Sequence, residues 1–113
     1  MIIDDDEVFW LNWQAKLKKD TDVVWSDTPE KAIDILKADD KFEFIIVDRF
    51  FDNIGIDLFD EDDLAQLREY YSGPVILSSM ARIRKKYLDL FDLVIPKKCY
   101  SFKEIMNRLS STV

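Results

Sequence analysis

Histidine is absent from this chain, and cysteine (one), glycine (two) and proline (three) are scarce among its 113 residues. Without histidine, His-ligated zinc sites, the Ser-His-Asp triad and a phosphohistidine on this chain are excluded. A lone Cys99 forbids an internal disulfide, which suits a reducing compartment. No apolar run approaches the roughly 18 residues of a membrane span, and the start does not read as a signal peptide. The expectation is a soluble, cytoplasmic protein with no membrane partner. Basic residues are also short: 16 Lys and Arg against 23 Asp and Glu leave a net charge of −7. That argues against direct nucleic-acid binding, which wants clustered cations on one face. No repeat, low-complexity tract or linker interrupts the chain, and its length suits one domain, 1–113, with its own core.

What is present is globular in character, with 48% apolar and 35% charged residues, outside the range of disordered chains. Two short apolar runs end abruptly in aspartate: Met1-Ile2-Ile3 runs into Asp4-Asp5-Asp6, and Phe44-Ile45-Ile46-Val47 into Asp48. If both are buried strands of one parallel sheet, their acids gather at the carboxyl ends, where open α/β sheets place ligands. Carboxylates about 4 Å apart at an effective dielectric near 20 repel by roughly 4 kcal/mol per pair. A hard divalent cation such as Mg²⁺, which takes oxygen ligands, is the usual remedy.

Strand-like and helix-like stretches alternate along the chain. Phe9, Trp10, Trp13 and Leu17 recur at helical spacing with lysines opposite, so the first helix is expected near 7–19 and its tryptophans in packing roles. Val23-Val24-Trp25 reads as a strand. Thr28-Pro29-Glu30 is an N-cap, a first-turn proline and a first-turn acid, opening a helix with Ala32, Ile35 and Leu36 inward. Residues 44–47 suit a central strand covered on both faces. A helix near 61–71 begins in a solvated acidic run and turns Leu64, Leu67 and Tyr70 or Tyr71 inward. Ser72-Gly73-Pro74 breaks it, and Val75-Ile76-Leu77 forms the fourth strand, ending at Ser78-Ser79. A helix over 81–90 precedes Leu93-Val94-Ile95, a fifth strand stopping at Pro96-Lys97-Lys98. Ser101 can cap a last helix burying Phe102, Ile105, Met106 and Leu109. Five βα units with right-handed crossovers predict an α/β fold, a doubly wound parallel sheet with helices on both faces.

Polar groups then fall at four strand ends: the acidic pair, Asp48, Ser78 or Ser79, and Lys97 or Lys98. One site could use them all. Carboxylates hold Mg²⁺, a hydroxyl and a lysine bind phosphoryl oxygens, and a carboxylate nucleophile gives an acyl phosphate.

In these motifs the chain resembles, from first strand to last helix, the receiver domain of two-component response regulators. The matches are Ile3-Asp4-Asp5, Ile46-Val47-Asp48, the hydroxyl after strand four and the lysine after strand five. The resemblance implies the flavodoxin-like strand order 2-1-3-4-5. It also implies Asp48 as phosphoacceptor, and Asp4, Asp5, Asp48 and the Phe50 carbonyl as Mg²⁺ ligands. Ser78 and Lys97 become the phosphoryl-binding pair. Ser78 is favoured because Ser79 then supplies the small neighbour that the family wants, whereas counting from Pro74 favours Ser79. Lys97 is favoured because Lys98 would force Pro96 into the strand's last buried position, where a ladder donor is lost; counting back from the last helix fits Lys98. The implied partners are a sensor histidine kinase or phosphotransfer protein, and an output partner or domain on the face of the fourth helix, fifth strand and fifth helix.

The chain departs from the family in strand five, where Val94 or Ile95 stands in place of an aromatic switch residue. It also lacks the proline after the lysine, and carries Phe50-Phe51-Asp52 after the acceptor. These departures motivate an alternative, a degenerate receiver binding partners without phosphorylation. A third reading, a haloacid-dehalogenase-like phosphatase, takes Asp4 as nucleophile and Asp6 as acid/base in Asp4-Asp5-Asp6-Glu7-Val8. It wants an acidic metal motif after the lysine, and no Asp lies beyond Asp92.

Overall fold

A computed structural model describes residues 1–4, 6–48, 61–79, 89–96 and 98–111, apart from the side chains of Asp48 and Ser79. Strands β1 (Ile2–Ile3), β2 (Trp25–Ser26), β3 (Ile45–Asp48), β4 (Val75–Ser79) and β5 (Leu93–Pro96) form one parallel sheet in the order β2-β1-β3-β4-β5. The helices among the described residues are α1 (Glu7–Leu17), α2 (Pro29–Ala38), α3 (Glu61–Tyr70) and α4 (Phe102–Ser111). This is the expected doubly wound α/β fold. The expected helix over 81–90 falls mostly outside the described residues.

Alternation along β3 explains why both faces are covered. Ile45 and Val47 pack with Ala32, Leu36, Leu64, Leu67 and Tyr71, the α2 and α3 side. Phe44 and Ile46 pack with Trp10, Trp13, Leu17 and Ile105, the α1 and α4 side. A period-two strand with apolar residues in both phases needs two covers, and each fully buried Val, Ile or Leu contributes about 1.5–3 kcal/mol.

Several boundaries differ from the sequence expectation. Helix α1 stops at Leu17, where the chain turns as the Asp20 and Thr21 N–H groups both bond the Leu17 carbonyl. Strand β2 lies at Trp25–Ser26 because those residues pair with Ile2 and Ile3, leaving Val23 as flank. In α2 the buried residues are Ala32, Ile33 and Leu36, with Ile35 only partly buried. Tyr71, one residue past α3, is the buried tyrosine of its pair, and Tyr70 is exposed. Strand β5 extends through Pro96, which pairs with Ser79 and is exposed. An edge strand tolerates a residue without N–H, so proline does not end it.

Helix entries follow their predicted chemistry. Thr28 Oγ1 accepts the Lys31 N–H at 3.2 Å, with Pro29 opening α2. Before α4, Ser101 Oγ accepts the Glu104 N–H and the Glu104 carboxylate accepts the Ser101 N–H, both at 3.2 Å, a reciprocal capping box. Those Ser101 bonds hold the Glu104 carboxyl below its usual pKa. Asp92 closes the far side of the sheet: its Oδ2 accepts the Val75 N–H at 2.8 Å and Arg68 Nη2 at 3.3 Å.

Candidate functional site

The carboxyl edge of the sheet carries the candidate site. Ile3 pairs with Val47, so Asp4 and Asp48 are the next residues along adjacent strands. Asp48 pairs directly with Ser78, and Ser78 with Ile95. The sheet order therefore brings Asp4, Asp48 and Ser78 into consecutive positions across β1, β3 and β4, although 30 residues or more separate each from the next in sequence. Ser79 pairs with Pro96 instead. Asp5, Phe50 and Lys97 lie outside the described residues. Lys98 is exposed and sits over the Tyr100 ring at 5.4 Å.

Asp4 is 2% exposed. Its Oδ1 accepts the Asp6 N–H at 2.9 Å, an Asx-type turn that fixes the carboxylate at the strand end. Asp6 caps α1 in turn, its Oδ1 accepting the Val8 and Phe9 N–H groups at 3.0 and 3.2 Å. The acidic run is thus divided: Asp4 is a buried strand-end group, and Asp6 is an N-cap favoured by the helix dipole. Burying a carboxylate is costly unless donors or a cation accompany it.

Ser78 is 0% exposed, and its Oγ has no hydrogen-bond partner among the described residues. Buried hydroxyls are nearly always bonded, so this one stands out beside Asp48. A cavity of about 350 Å³ lies at the opposite edge of the sheet, lined by Leu17, Val23, Ile35, Phe42 and Phe44. It plays no part in the row.

The site's donor set is oxygen throughout, without imidazole or thiolate, and that chemistry fits a hard cation such as Mg²⁺. Among the described residues no group of three or more Asp, Glu, Cys or His could hold a metal ion. The expected ligand set draws on Asp5, Phe50 and the Asp48 side chain, which lie outside that description.

Sequence reasoning missed one participant. Trp25 Nε1 donates to the Asp4 carbonyl at 2.7 Å. Its ring stacks on Trp10 with centroids 5.7 Å apart and planes 9° off parallel. A tryptophan on a two-residue edge strand carries no local signal for this, because the partner lies 21 residues upstream.

The fold so defined is the flavodoxin-like receiver fold. No protein-family model matches the chain, and no curated protein matches it in sequence. Solved structures do resemble it. One, described as adenylate cyclase from Rhodopirellula baltica, is 15% identical with a TM-score of 0.74, covering 98% of this chain and 83% of that one. A fusion bearing a trimeric coiled-coil segment of yeast Spc42 is 14% identical with a TM-score of 0.70, over 98% and 73%. A response regulator receiver protein from Sinorhizobium medicae WSM419 is 17% identical with a TM-score of 0.62, over 98% and 90%. At these identities the likeness is one of fold. No helix among the described residues is long and apolar enough to cross a membrane.

Proposed function

We propose that the chain is a phosphoacceptor receiver domain, spanning 1–113, that takes a phosphoryl group onto Asp48 from the phosphohistidine of a sensor kinase or phosphotransfer protein. The observation that carries this reading is the row of Asp4, Asp48 and Ser78 at one sheet edge, with a buried carboxylate at one end and a buried hydroxyl at the other. An Asp48 carboxylate oxygen attacks phosphorus, the bond to the donor imidazole nitrogen breaks, and an acyl phosphate remains. Ser78 and Lys97 donate to the phosphoryl oxygens. Asp4, Asp5, Asp48 and the Phe50 carbonyl would hold Mg²⁺, which neutralises charge shared by the phosphoryl group and its ligands. Because the chain has no histidine, the donor is another protein, another domain or a small phosphodonor. The output partner would meet the face of β5, α4 and the helix expected over 81–90.

A second reading, a receiver that binds partners without phosphorylation, draws support from β5. Val94 and Ile95 are both aliphatic there, the first 39% exposed and the second buried, so an aromatic switch is missing from either position. Incubation with acetyl phosphate and Mg²⁺ followed by intact-mass measurement separates the two. The first reading expects one added phosphoryl group, lost on chelation and in Asp48→Asn. An unmodified wild-type chain would leave the second.

A further inference from the structure

The geometry points to Trp25 as a positioning residue for the Asp4 carboxylate, acting through the Asp4 backbone. This rests on the reading of Asp4 and Asp5 as metal-holding groups. A buried carboxylate at a strand end is presented to a cation only if the backbone that carries it is held. Two of the restraints are ordinary: the Asp4 N–H bonds the Ser26 carbonyl at 3.0 Å, and Asp6 caps α1. The Asp4 carbonyl, one residue past β1, accepts the Trp25 indole N–H. Indole N–H is a donor only, matched to a carbonyl that only accepts.

The ring that delivers the bond is itself fixed. Trp25 lies flat on Trp10, whose backbone N–H makes an ordinary helical bond of α1 to the Asp6 carbonyl at 3.0 Å. The stack therefore ties to α1 the ring whose indole holds the Asp4 carbonyl. Removing the indole N–H alone would take this donor from the strand-end carbonyl without emptying the space beside Trp10.

The test is Trp25→Phe, which keeps an aromatic ring against Trp10 and deletes the donor. Mg²⁺ affinity is measured by calorimetry on wild type, Trp25→Phe and Trp13→Phe, with urea unfolding of each. Trp13 is fully buried in the core, and its Nε1 has no hydrogen-bond partner among the described residues, so its variant reports loss of packing alone. Trp25→Phe is expected to bind Mg²⁺ about three- to ten-fold more weakly, the span of one net hydrogen bond. Trp13→Phe is expected to unfold at lower urea with Mg²⁺ affinity unchanged. Equal affinity in Trp25→Phe and wild type overturns the inference while sparing the site. Weakening of the same size in Trp13→Phe also overturns it, since stability alone then accounts for the effect. A wild-type chain showing no Mg²⁺ binding sensitive to Asp4→Asn overturns both the inference and the site.

Discussion

Replacing Ser78 by alanine should stabilise the protein and impair it at once. The hydroxyl is fully buried and has no hydrogen-bond partner among the described residues. A buried polar group left unsatisfied costs about 1–3 kcal/mol, and Ser→Ala removes one oxygen with little loss of packing. Taking the lower end, Ser78→Ala gains about 1 kcal/mol. With a urea m value of roughly 2 kcal/mol/M, the unfolding midpoint rises by about 0.5 M. Phosphoryl transfer should move the other way. A hydrogen bond to a charged phosphoryl oxygen contributes about 1.5–3 kcal/mol, so the rate of modification by acetyl phosphate falls roughly 10- to 100-fold. Both quantities come from one preparation, by urea titration and timed intact-mass measurement. A midpoint that falls would show a hydroxyl bonded for structural reasons, and the argument from its burial would collapse. A raised midpoint with unchanged modification would transfer the phosphoryl-binding role to Ser79, to be tested with Ser79→Ala.

Gly73→Ala should destabilise the fold by about 2–4 kcal/mol, the sum of overpacking and one lost hydrogen bond. An added Cβ would press on the Tyr71 hydroxyl and stand 2.6 Å from Cζ, while that buried hydroxyl donates to the Phe42 carbonyl at 2.8 Å. Urea unfolding checks it, and a variant within 0.5 M of wild type, at an m value of about 2 kcal/mol/M, would contradict it. In a chain that starts at Met1, burial lowers the terminal ammonium from 8.0 to about 5, with its N–H groups facing the Phe44 carbonyl at 3.0 Å. The folded state then binds fewer protons than the unfolded one between those values. Stability should be fully present above pH 8 and fall by up to about 4 kcal/mol as pH drops to 5. With no histidine in the chain, the window is largely clear of ordinary side-chain titrations. N-terminal acetylation should abolish the slope, and a flat wild-type profile would contradict the assignment.

The parts legible in the sequence were those set by local chemistry. Thr28-Pro29 announced α2, Ser101 announced α4, and the doubly apolar run before Asp48 announced a strand covered on both faces. Where pairing rather than composition decides, the sequence misled. Strand β2 follows the register of Ile2 and Ile3 with Trp25 and Ser26, not the apolar Val23-Val24-Trp25 run. Ser78, Ser79 and Pro96 lie within strands because the ladder extends through them, though serine and proline read as stops. Of Tyr70 and Tyr71, the spacing from Leu64 and Leu67 left the choice open, and Tyr71 is the buried one, its N–H bonding the Leu67 carbonyl. In the site, the strand-end aspartates were visible as abrupt changes from apolar to acidic. The juxtaposition of Asp48 with Ser78 needed the sheet order, and the Trp25 bond to Asp4 needed the whole tertiary fold.

The central claim is that Asp48 is the nucleophile. It is tested most directly by locating the acyl phosphate after reaction with a small phosphodonor in Mg²⁺. Borohydride reduction converts a phosphorylated aspartate into homoserine, which peptide mapping places in the chain. Homoserine at position 48, absent when Mg²⁺ is chelated, is the predicted result. Homoserine at position 4 would move the nucleophile to Asp4 and the chemistry to that of a phosphatase, contradicting the account.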